Sequence, residues 1–167
     1  MASQVAPNVQ MIWIDPAKHS VRTIFTPQLR LAAEDLEAPS VQEGFEITKR
    51  AFDSLKNGAD SQGAQFLVVL IPTKERAYCS YLKDSGERMP NTLVRLCDVE
   101  QRDKEDLEQF FATRKIAYVD VVGVLEEKIH EHVQIYPMDD DGHPLVTGYS
   151  VIANAVYNAL RREHLKK

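Results

Sequence analysis

Gln65–Ile71 (QFLVVLI) narrows the fold more than any other stretch. It carries no charge, and every residue after Gln65 is apolar. A strand places successive side chains on opposite faces, so this one would have no face for water. Such a run reads as a central parallel strand covered by helices on both sides. A second buried run, Ile116–Val122 (IAYVDVV), follows at a distance that leaves room for a crossover helix.

Other elements are placed around these two. Ser40 with Glu43 three residues on has capping-box spacing. It opens a helix over 41–57, with Thr48, Ala51, Phe52 and Leu55 on the inner face and Asn57-Gly58 as its stop. Tyr78, Tyr81 and Leu82 suggest a short helix or an arm. The stretch 91–97 fits a helix or a strand, and 98–113 is a helix with Leu107, Phe110 and Phe111 inside. Leu125–His130 reads as a short helix. A last helix over 147–165 buries Ile152, Ala155, Val156, Ala159 and Leu160, with Arg161, Arg162, Lys166 and Lys167 suited to its C-terminal end. At the other end, 1–8 reads as a frayed or tag-like start. The runs 9–14 and 21–25 read as short strands of a hairpin or edge ribbon. Thr26-Pro27 opens a short helical segment through Leu31 and Asp35, and Trp13 is expected as a core anchor. The whole reads as one α/β domain over 1–167: a three-layer, flavodoxin-like, mostly parallel sheet with helices on both faces.

The bulk numbers close off several classes. A chain of 167 residues can bury one real core. A net charge of -5 speaks against a nucleic-acid surface and against adhesion to anionic lipid. No apolar run approaches the ~20 residues of a membrane span. Cys79 and Cys97 are too few for a disulfide scaffold and lack metal-type spacing, so they read as two free, partly buried thiols, with a single bridge as the alternative.

The chemistry concentrates in Tyr136–Pro144 (YPMDDDGHP). Residues 139–143 pack three carboxylates, a glycine and a histidine together. Unpaired carboxylates are too costly to bury, so this is a loop at a domain edge. Asp140 and His143 are the candidate catalytic pair: a carboxylate that accepts from one imidazole nitrogen leaves the other free to take a proton from a nucleophile. A solvated, capping loop is the plainer reading of the same residues. Pro72-Thr73-Lys74-Glu75 follows the first strand at its carboxyl end, where open α/β sheets bind ligands. Lys74 and Glu75 are therefore candidate substrate-binding residues, against the alternative of a solvated turn.

The stretch IYPMDDDGHPLVTGYSVIANAVYNAL resembles the end of an SGNH/GDSL-type hydrolase, in which an Asp-x-x-His pair precedes the last helix. Asp140-Asp141-Gly142-His143 matches that spacing, Pro144 and Gly148 match its flanks, and Leu145 stands where Asn is common. FLVVLIPTKERAYCSYL is similar to the strand and Pro-x-Lys turn of the alginate O-acetyltransferase-like branch. The resemblance covers roughly 43–165. It implies acyl transfer without a cofactor on small esters or acetylated sugars, with His143 as base and Asp140 orienting it. It also suggests a periplasmic or membrane-associated whole protein. The family's Gly-Asp-Ser nucleophile motif is absent; Asp84-Ser85-Gly86 reads in the wrong order, and the oxyanion-hole Gly and Asn have no clear match beyond Asn91. Two readings follow. The chain is the C-terminal portion of a longer hydrolase and carries the Asp/His half of the triad, or it is a non-catalytic carbohydrate-binding or interaction domain.

Ser20, Ser80, Ser85 and Ser150 are the serines to test for proximity to His143. His130, His132, Asp139, Asp141 and His143 could instead offer metal ligands. The closing Glu of a calcium loop is missing, and no metal is expected.

Overall fold

The computed structural model describes residues 11–164. The proposed start over 1–8, the beginning of the first strand and Leu165, Lys166 and Lys167 lie outside the described residues. Two strands come first, β1 (Met11–Ile14) and β2 (Arg22–Phe25), then α1 (Pro27–Glu34) and α2 (Pro39–Ser61). After them come β3 (Leu67–Leu70), α3 (Lys74–Asp84), α4 (Asn91–Arg114), β4 (Ala117–Asp120), α5 (Val122–His130) and α6 (Val146–His164).

β3 and β4 pair in parallel, with Leu67 opposite Ala117 and Leu70 opposite Asp120. β1 and β2 form a separate antiparallel ribbon, Met11 opposite Phe25. The flavodoxin-like, three-layer sheet is thereby overturned. Among the described residues each sheet has two strands, and helices make up most of the chain. The physical reason lies in the strands themselves. Only Val68 of β3 is fully buried, and Ala117 and Tyr118 of β4 are exposed. Two four-residue strands offer too little surface for helical layers on both faces.

The main core lies elsewhere. Trp13, Val21 and Phe25 of the ribbon pack with Tyr78, Tyr81 and Leu82 of α3, Leu125 and Ile129 of α5, Ile135 and Tyr136 of the segment that follows it, and Ile152 of α6. Trp13 is a core anchor as its sequence suggests, stacked edge-on against Tyr78 and Tyr81. Each large apolar side chain buried in this way is worth about 1.5–3 kcal/mol. A smaller cluster of Val68, Phe111 and Ile116, with Phe52 against it, holds α2 and the parallel pair.

Three local expectations change. On α6, Leu160 of the expected buried stripe is exposed. α2 starts at Pro39 rather than from a Ser40 capping box and continues past Asn57-Gly58 to Ser61. None of its residues is fully buried; Ala51 and Leu55 face solvent, while Val41, Phe45 and Phe52 turn inward. The apolar stripe is thus rotated from the expected one. The cysteines are not free thiols: Cys79 and Cys97 form a disulfide that ties α3 to α4. They are far apart in sequence, and only the antiparallel approach of the two helices brings their Cα atoms to 6.1 Å.

Candidate functional site

The Asp-rich loop is held from four sides. From β2, Thr23 Oγ1 donates to Pro137 O at 2.9 Å and the Ile24 amide donates to Asp139 O at 3.3 Å. From α3, Lys74 Nζ donates to Asp139 O and Asp141 O, each at 2.9 Å. From α1, the guanidinium of Arg30 lies against Gly142. From α6, Gly148 backs onto the loop: a Cβ there would stand 2.7 Å from Ile135 O and 2.8 Å from Pro144 Cβ. That space admits no side chain, which accounts for the glycine.

The sequence candidates now take distinct places. His143 points into solvent, its side chain 82% exposed. Its Nδ1 is 2.6 Å from Asp141 Oδ1, and the same carboxylate accepts the His143 amide at 3.0 Å. The carboxylate that orients the imidazole is therefore that of Asp141; Asp140 is exposed and makes no hydrogen bond among the described residues. The two hydrogen bonds from His143 hold the Asp141 carboxyl below its ordinary range. A spacing of two residues closes an Asx-type turn, which sets the ring directly over the carboxylate.

Lys74 and Glu75 are both fully buried. Lys74 opens α3 under the hydroxyl of Thr73, which accepts from the Arg76 amide at 3.1 Å. Burial pulls its ammonium below the usual lysine range, against the attraction of Glu75 and Asp139. Glu75 Oε1 accepts from the Thr26 amide at 2.8 Å, and Oε2 faces Arg30 Nε at 3.6 Å. Neither residue faces solvent. They form the electrostatic floor under the loop, and in that sense the fold brings both candidate stretches together.

No serine hydroxyl donates to His143 among the described residues. Ser150 Oγ donates to Val146 O and Ser85 Oγ to Leu82 O. Ser80 is half-buried on α3, and Ser20 is exposed in the turn of the β1–β2 ribbon. His130 lies 3.9 Å from Asp84. Among the described residues no group of three or more His, Cys, Asp or Glu is arranged to hold a metal ion. Among the described residues no helix is long and apolar enough to cross a membrane.

Two features escaped the sequence. His132 Nδ1 is 2.7 Å from Asp15 Oδ2, a carboxylate wholly out of solvent that also accepts from the Ala17 and Lys18 amides. Burial alone would raise the Asp15 carboxyl, but the His132 hydrogen bond and the two amides outweigh it and hold it low. His132 sits at a left-handed φ of 57°, and Lys18 Nζ donates to its carbonyl at 3.3 Å. A pair 117 residues apart has no local signature.

The second is the lining of a cavity of about 630 Å³ at the carboxyl ends of β3 and β4, the edge expected to bind a ligand; Pro72 and Thr73 reach it, while Lys74 and Glu75 do not line it. Leu36, Val41, Phe45 and Leu107 give it apolar walls, and Glu34, Glu100 and Asp103 line its acidic side. Burial, then the neighbouring Glu100, pushes Glu34 well above the carboxylate range. Burial also raises Glu100, against hydrogen bonds from Thr73, and raises Asp103 to about 6.

Comparison of the chain with protein-family models, with curated proteins and with solved structures finds no match.

Proposed function

We propose that this chain carries the general-base half of an acyl-transfer centre for small esters or O-acetylated carbohydrate. One observation carries the reading: a solvent-facing imidazole, held by a carboxylate at 2.6 Å, on a loop clamped by a buried lysine. The resemblance of residues 135–160 to the end of an SGNH-type hydrolase supports the same assignment of His143.

In this scheme His143 Nδ1–H donates to Asp141, which leaves Nε2 with its lone pair outward. Nε2 takes the proton of an attacking hydroxyl as its oxygen adds to the ester carbonyl. The imidazolium then returns that proton to the departing alkoxide. Asp141 offsets the positive charge in between and fixes the tautomer. The hydroxyl is supplied by a serine on another polypeptide segment. The Cys79–Cys97 disulfide fits an oxidising compartment.

The test is hydrolysis of p-nitrophenyl acetate by the intact chain, His143→Gln and Asp141→Asn, paired with fluorophosphonate labelling and peptide mapping. With water in place of the serine hydroxyl, base assistance should disappear in His143→Gln and weaken in Asp141→Asn. Equal rates in all three proteins would sink the assignment. A mapped serine within this chain would replace the external nucleophile.

The cavity favours a second reading, a module that binds a carbohydrate without turnover. Its carboxyl groups can accept from ligand hydroxyls while Phe45 and Leu107 pack against a ring. Calorimetric titration with acetylated oligosaccharides, comparing the chain with Phe45→Ala, separates this reading from the first.

A further inference from the structure

Gly142 stands between Asp141 and His143 with a guanidinium laid against it. A Cβ at Gly142 would lie 3.2 Å from Arg30 Cζ and 3.7 Å from Nη1, and closer still to Nη2. Only a residue without a side chain lets Arg30 come so near this stretch of backbone. Arg30 is itself partly sheltered, its side chain 29% exposed. Nε faces the fully buried Glu75 at 3.6 Å, an ion-pair distance too long for a hydrogen bond, and Nε has no hydrogen-bond partner. Glu75 in turn is held by Thr26. Among the described residues neither Nη1 nor Nη2 donates to any protein acceptor. A guanidinium anchored from behind by a buried carboxylate, with its outer fork unspent, is built to receive a planar anion in two parallel hydrogen bonds.

We propose that Arg30 is the anion-recognising residue of this site and takes a carboxylate on the molecule whose ester His143 serves. The inference rests on the base role of His143 and names the substrate class: an ester that also bears a carboxylate. The position relative to the loop carries the link, because Gly142 joins the guanidinium to the imidazole through one residue of backbone. The carboxylates nearby oppose such a ligand, whereas the buried Lys74 ammonium favours it. Asp141 is committed to His143, and Asp139 Oδ1 accepts the Asp141 amide at 3.0 Å. Asp140 is exposed and unspent, so it sets the residual repulsion that an anionic ligand meets.

The experiment is a malonate titration of the isotope-labelled full chain at constant ionic strength. It follows the Arg30 side-chain, Gly142 amide and His143 ring resonances. Saturable shifts of all three are expected. Arg30→Gln should weaken binding by about tenfold or more, and Asp140→Asn should tighten it. Gly142→Ala guards against misfolding of the Arg30 variant. Its new methyl meets only the movable end of the Arg30 side chain, so the fold should persist while the shifts shrink. His143→Gln should still bind malonate, so loss of ester hydrolysis without loss of malonate binding separates the two claims. No saturable shift in the intact chain, or the same affinity in Arg30→Gln, would overturn the proposal.

Discussion

The Lys74 ammonium donates a 2.9 Å hydrogen bond to the carbonyl of Asp141, the residue whose side chain orients His143. The two are 67 residues apart. Lys74 reaches the loop from the first turn of α3, wholly out of solvent, and satisfies two carbonyls at once. Charge-assisted hydrogen bonds in such a place are about twice as strong as neutral ones.

Lys74→Met should therefore destabilise the fold by about 2–3 kcal/mol, since two carbonyls lose a charged donor. Chemical denaturation measures the loss. Nuclear relaxation at Gly142 and His143 should show the loop released; an unchanged loop would mean that the contacts from β2, α1 and α6 suffice to hold it.

Gly148 and Gly142 should respond oppositely to alanine. At Gly148 the new methyl meets the backbone oxygen of Ile135 and the ring of Pro144, neither of which can move away cheaply. A cost of about 1–3 kcal/mol is expected. At Gly142 the methyl meets only Arg30, and the melting temperature should barely change. Thermal unfolding of the two variants side by side checks the contrast.

Removal of the α3–α4 disulfide by the double change Cys79→Ala, Cys97→Ala should cost about 3 kcal/mol, because a closed loop of 18 residues no longer restricts the unfolded chain. The intact protein should show the same loss on reduction. A midpoint insensitive to reductant would show that the bridge does not form in solution.

Glu34 and Glu100 hold protons that the unfolded chain has already released. Their stabilising contribution is complete below the ordinary carboxylate range and is lost as pH climbs through the raised native values. Unfolding free energy should fall from about pH 5 toward pH 8, by at most about 1.4 kcal/mol per pH unit for each retained proton. Glu34→Gln should flatten that slope. Denaturation midpoints across this range, for both proteins, decide it.

Asp15 has the opposite sign. Its carboxyl is held low, so its contribution is present above the ordinary range and vanishes as pH falls through the native value. Asp15→Asn should destabilise the protein by about 1–3 kcal/mol at neutral pH, because one buried oxygen no longer accepts. The His132 ring resonance should shift with it. A silent His132 would mean that the pair does not persist in solution.

What the sequence determined by itself was local. The apolar runs around Val68 and Val119 mark strands that do pair in parallel, and Leu107, Phe110 and Phe111 lie toward the inside of a real helix. The Asp-rich stretch is a loop because its charges cannot be buried unpaired. These follow from side-chain periodicity and from the cost of desolvating charge, both of which act between near neighbours. The sheet's extent, the rotation of α2, the Cys79–Cys97 bridge, the choice of Asp141 over Asp140 and the burial of Lys74 and Glu75 were decided only by the tertiary structure. Each depends on which distant surface arrives to meet a given side chain. Lys74 reads as a solvated turn residue until the 139–141 carbonyls close over it, and Arg30 has no visible role until α1 lies against Gly142. Long-range packing sets those encounters, and no spacing within the chain encodes them.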